Sequence, residues 1–118
     1  MKFYKCPNPN TVATLIGDTT DFDKHAPELV PNSTDAAGEK HVPVVTVTGS
    51  KVSVNVGSVN HPMLEEHYIG WVAIQTNKGF QLKNLKAGDK PQVDFLLTDG
   101  EKLEATYSYC NLHGLWKA

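Results

Sequence analysis

The chain has 118 residues, 40% of them hydrophobic, with 11 Lys and Arg against 13 Asp and Glu and a formal net charge of -2. That size and composition suit one ordinary domain with a real core and exclude compositional disorder, and the near balance of charge gives no electrostatic reason to expect DNA or RNA. Two cysteines, Cys6 and Cys110, exclude a disulfide-rich secreted scaffold, and no apolar run reaches the about 18 residues of a membrane span.

The opening MKFYKCPNPN has a single early Lys and no long apolar core. It does not read as a signal peptide, so a cytoplasmic chain with reduced thiols is expected. Residues 1–16 read as a short leader: Phe3 to Cys6 of alternating character, then the turn-rich Pro7-Asn8-Pro9-Asn10, with Thr11 to Ile16 suiting a short strand. Gly17 to Lys40 is polar and reads as a long loop with one helical turn at Asp35-Ala36-Ala37. A connection of that length in a compact domain marks a functional segment or a linker.

From Val42 the texture changes. VVTVTGSKVSVNVG alternates Val with Thr, Ser and Asn around Gly49-Ser50, predicting a pair of strands with one buried face. Tyr68 to Ile74 predicts a third strand, which Asn77-Lys78-Gly79 turns toward Phe80-Gln81-Leu82. Val93 to Leu97 predicts a further strand, Thr98-Asp99-Gly100 a hairpin turn, and Lys102 to Tyr109 the last long strand. Short strands, Gly-rich turns and no long helix predict an all-β, antiparallel β-sandwich.

The histidines suggest where chemistry sits. His41 closes the polar loop, His61 and His67 bracket Pro62-Met63-Leu64-Glu65-Glu66, and His113 follows Cys110 by three residues. Strand ends converge at the rim of a sandwich, so these residues can meet without being close in sequence. A thiolate with several imidazoles is a donor set for iron, copper, nickel or zinc and argues against calcium or magnesium. Spacing alone does not choose among the four.

Three stretches carry a resemblance: Pro31 to Pro43, containing Gly38-Glu39-Lys40-His41; Val56 to Met63 with Glu66 to Val72; and Tyr109-Cys110-Asn111-Leu112-His113-Gly114-Leu115-Trp116. In order and spacing they resemble the superoxide reductases of the desulfoferrodoxin and neelaredoxin family, in the form lacking the N-terminal rubredoxin-like iron centre. The resemblance implies an immunoglobulin-like sandwich over residues 29–118, preceded by a leader remnant and loop at 1–28. It implies one mononuclear iron bound by His41, His61, His67 and His113 with Cys110 as the thiolate ligand. It further implies one-electron reduction of superoxide to hydrogen peroxide, with Glu39 filling the open position of the oxidised site and Lys40 attracting superoxide and helping to protonate the product. The electron is expected from a rubredoxin-like or other small donor, and the protein is expected to form dimers or tetramers. Cys6 matches the start of the lost iron domain, but one cysteine cannot hold a four-thiolate iron; His25 matches no family ligand and reads as a loop residue.

Two metal classes compete with this reading. A copper electron-transfer sandwich would use two histidines, one cysteine and a weak axial Met, whereas Met63 lies well before Cys110 and no Met follows His113. A zinc-stabilised binding module would account for the ligands but not for Lys40 beside His41. The remaining alternative is an adhesion-type sandwich whose histidines are unrelated.

Overall fold

The computed structural model describes residues 1–17 and 26–118. His25 and much of the first half of the polar stretch lie outside the described residues. The chain divides into two compact units, Met1–Val30 and Pro31–Ala118.

In the first unit, β1 (Phe3–Lys5) pairs antiparallel with β2 (Val12–Thr14) on one side and with β3 (Glu28–Leu29) on the other. The Pro7 to Asn10 turn joins β1 to β2, closed where Thr11 N–H donates to Asn8 (3.3 Å) and Cys6 N–H to Thr11 (3.1 Å). The leader therefore supplies two strands of a small sheet, its central strand β1 among them, and the long polar stretch contributes a strand of its own. Two residues flanked by Pro27 and Pro31 are too few to show a period of two, so β3 has no sequence signal.

The second unit is an immunoglobulin-like antiparallel sandwich. One sheet has the order β4-β5-β8, formed by Pro43–Thr48, Lys51–Val56 and Gln92–Leu96. The other has the order β10-β9-β6-β7, formed by Gly114–Lys117, Leu103–Cys110, Ile69–Thr76 and Gly79–Asn84. The Val-rich alternation works as expected, because Val52, Val54 and Val56 of β5 and Val93 and Phe95 of β8 turn into the core. They meet Ile69, Val72 and Ile74 of β6 and the side chain of Cys110. The ladder shifts register between Ile69 and Trp71, so that Ile69 and Val72, three apart, both face this core.

Two local expectations change. The helical turn lies at α1 (Gly38–His41), three residues later than read from the sequence, where Val42 N–H closes it on the Gly38 carbonyl at 2.9 Å. The Thr98 to Gly100 turn forms, with Glu101 N–H donating to Thr98 at 3.0 Å, but its strands do not make a hairpin. β8 pairs with β5 and β9 with β6, so the turn carries the chain from one sheet to the other. Turn chemistry fixes a local reversal; pairing is chosen by which apolar faces match across the core.

Candidate metal centre

The ligand candidates stand where strands begin or end. His41 closes α1 just ahead of β4, and His61 and His67 lie in the link from β5 to β6. Cys110 ends β9, and His113 sits in the turn to β10. Nitrogen or sulfur atoms of His41, His61, His67 and Cys110 all lie within 4.8 Å of one another. His113 Nδ1 joins them, 3.1 Å from His41 Nε2 and 3.8 Å from Cys110 Sγ. His41, His61 and Cys110 are buried; His67 and His113 are half-buried.

Hydrogen bonding decides which ring nitrogen of two histidines faces inward. His41 Nδ1 lies 2.7 Å from the Ala37 carbonyl and His61 Nδ1 2.6 Å from the Pro62 carbonyl. A carbonyl oxygen only accepts, so each Nδ1 carries the proton and each neutral ring presents its Nε2 lone pair to the interior. Those two Nε2 atoms are 3.2 Å apart. Lone pairs that close repel unless a cation lies between them. His67 Nε2 is buried and has no hydrogen-bond partner, a cost that a ligated metal removes.

Electrostatics agrees. Burial lowers the pKa of His61 to about 4 against the opposing pull of its Pro62 hydrogen bond, and the neighbouring imidazoles lower it further. Burial also lowers those of His41 and His67, and His113 and Lys40 add to the lowering at His67. All three are therefore neutral near pH 7, as metal ligands must be. Burial pushes the Cys110 thiol up, while the N–H groups of His113 and Leu112 hydrogen-bond to the sulfur and pull the other way. Asn111 N–H points elsewhere and donates to the Tyr68 carbonyl at 3.1 Å. The set of imidazoles and one buried thiol fits a transition metal such as iron.

Glu39 and Lys40 are exposed beside the cluster, on the same helical turn as His41. Their charges reach it: Glu39 raises the pKa of His41, and Lys40 lowers that of His67. The turn is pinned through its backbone, because the Glu39 carbonyl accepts from Val59 N–H (2.9 Å) and Ser58 Oγ (3.3 Å). Gly57 permits that approach. A Cβ there would lie 2.6 Å from the Glu39 oxygen and 3.0 Å from the Val42 oxygen.

Sequence reasoning missed the supports. Trp116 stacks on His41 with centroids 4.7 Å apart, and its Nε1–H donates to the His113 carbonyl at 3.1 Å. Met63 Sδ accepts from Ile69 N–H at 3.4 Å, tying the loop between His61 and His67 to the start of β6. The embedded Trp and Met were visible as parts of a pattern, but their partners were not.

Residues 33–118 match the family model described as Desulfoferrodoxin. The chain is 45% identical to a desulfoferrodoxin homolog of Archaeoglobus fulgidus over 122 residues, spanning 100% of this chain and 96% of the relative. It is similar in structure to the superoxide reductase of Treponema pallidum, with a TM-score of 0.76 and 48% identity over 79% of this chain and 77% of that one. It is also similar to the superoxide reductase (1Fe-SOR) of Giardia intestinalis, with a TM-score of 0.58 and 32% identity over 68% of this chain and 95% of that one.

Proposed function

Since the chain belongs to the desulfoferrodoxin family and is an oxidoreductase acting on superoxide, we propose that it reduces superoxide at one mononuclear iron held by His41, His61, His67, His113 and Cys110. The observation that carries this reading is the convergence of imidazole ring nitrogens, one of them buried without a partner, on a buried thiol. Zinc or copper would use fewer imidazoles. Iron bound there supplies the electron that converts superoxide, with two protons, to hydrogen peroxide.

The residues of the chain set the conditions for that reaction. His41, His61 and His67 are neutral before loading, so they need not lose a proton to bind. Cys110 must lose one, because burial keeps it a thiol until a cation arrives. A divalent ion with neutral imidazoles and one thiolate leaves the site net positive. Lys40 adds positive charge at the solvent edge, where it steers the superoxide anion inward and orders the water that delivers protons. Glu39, adjacent on the same turn, is the carboxylate that would serve as a further ligand to the oxidised iron.

The electron returns from a separate small donor of rubredoxin type, because Cys6 alone in the first unit cannot hold a second iron. A reducing cytoplasm keeps Cys6 and Cys110 as free thiols. No helix among the described residues is long and apolar enough to cross a membrane. A homodimer or homotetramer is the working assembly in this reading, with residues 29–118 as the iron domain and residues 1–28 as the remnant of an ancestral iron-binding leader.

The test is a pulse of superoxide delivered to iron-loaded, reduced protein. One hydrogen peroxide per iron oxidised, without release of dioxygen, supports reduction. Dioxygen evolution would indicate dismutation, and an unreactive, colourless zinc protein would indicate a binding module.

A further inference from the structure

The four imidazoles are not held alike. His41 and His61 are each fixed by a ring nitrogen on a carbonyl, and the turn that carries His113 is held through the Trp116 bond to its carbonyl. His67 has no hydrogen bond to its ring among the described residues, and its Nε2 is buried without a partner. Its aim depends on its backbone, where its own N–H and C=O bond Leu64 at 3.0 and 2.9 Å, and on what holds the residues to either side.

One side chain grips that backbone on both sides. Asn111 Oδ1 accepts from Tyr68 N–H at 2.8 Å, and Asn111 Nδ2 donates to the Glu66 carbonyl at 3.1 Å. The Asn111 backbone N–H also donates to the Tyr68 carbonyl at 3.1 Å. The β6–β9 ladder ends at the pair Ile69 and Cys110. Beyond it the Asn111 amide takes the place of a further strand residue, satisfying the peptide groups on either side of His67. Asn is suited to this because its amide carries a donor and an acceptor on one planar group.

We infer that Asn111 is a positioning residue: its side-chain amide clamps residues 66 and 68 so that His67 is aimed at the sulfur of the adjacent Cys110 before any metal binds. The inference rests on His67 and Cys110 being ligands. Asn111 does for His67, through the backbone, what the Ala37 and Pro62 carbonyls do for the other two rings. Loss of such outer partners weakens metal binding by about 10- to 100-fold.

The experiment measures Co2+ affinity by chelator competition for the wild-type chain and for Asn111→Asp, each with and without His67→Ala. Asn111→Asp keeps the shape and the Oδ1 acceptor but puts an oxygen opposite the Glu66 carbonyl. The expected result is a loss of about 10- to 100-fold in the native background and of no more than about twofold when His67 is absent. An undiminished affinity, or an equal loss in both backgrounds, would overturn the clamp; the equal loss would assign Asn111 to the Cys110 turn instead. If Asn111→Asp does not fold, amide exchange in the metal-free wild type decides. A protected Tyr68 N–H is expected, and free exchange would overturn the inference. A wild-type chain that binds no Co2+ removes the metal-site reading itself and leaves Tyr68 exchange to judge the clamp.

Discussion

The two halves of the candidate metal site are built by different means. His41 and His61 are buried, and each is anchored by a carbonyl close in sequence, Ala37 four residues back and Pro62 one residue on. His67 and His113 are half-buried and neither ring sits on a carbonyl: the His67 backbone bonds Leu64 nearby and is flanked by Asn111 reaching residues 66 and 68 across the fold, and the His113 carbonyl accepts from Trp116 three residues on. Local anchoring makes the first half a rigid, dry floor. The second half, held through its backbone, lies nearer solvent, where a small anion and Lys40 can approach.

Acid should break the floor first. In the metal-free protein the pKa of His61 is about 4 against an ordinary 6.5, so the unfolded chain binds a proton that the folded chain refuses between those values. Stability is therefore intact above about pH 6.5 and falls as the pH drops toward 4, where the loss levels off. His61 contributes up to about 3 kcal/mol to that loss, on the usual 1.4 kcal/mol per pH unit. Urea midpoints at pH 7 and pH 4.5 should differ clearly, and His61→Gln should narrow the difference.

Gly57→Ala attacks the same half from the side. Its new Cβ would meet the Glu39 oxygen at 2.6 Å, so the turn bearing Glu39, Lys40 and His41 must move. A destabilisation of about 1–3 kcal/mol is expected, read by thermal melting, together with slower reaction with superoxide. A variant as stable and as fast as the wild type would show that the turn yields freely.

Lys40→Ala reads the open half. Iron content should be unchanged, while the rate with superoxide should fall by about tenfold at low salt and lose part of its salt dependence. Stopped-flow traces at several ionic strengths check both. An unchanged rate would remove Lys40 from the mechanism.

The smallest effect is expected from Trp116→Phe, which keeps an aromatic ring against His41 but loses the hydrogen bond to His113. A cost of about 1 kcal/mol in unfolding free energy is expected. A negligible cost would place the stacking, not the hydrogen bond, at the centre of that support.

The contrast between halves also governs what the sequence reveals. Alternating Val residues at 52, 54 and 56 announce a strand with one buried face, because the period of two is a local property. His41, His61, His67, Cys110 and His113 are legible as a pattern because their order along the chain is fixed. Glu28–Leu29 as a strand, the passage of the Thr98 turn between sheets and the grip of Asn111 on residues 66 and 68 are not legible. Each depends on a partner at least 20 residues away, which no local period can name.

The most direct measurement is the visible spectrum of the iron-loaded protein and of its Cys110→Ser variant, before and after mild oxidation. The account predicts a band in the wild type that appears on oxidation and bleaches on reduction, with one iron per chain, and no such band in the variant. A band that persists in Cys110→Ser, or an iron-loaded wild type without one, would contradict the thiolate-bound iron on which the account rests.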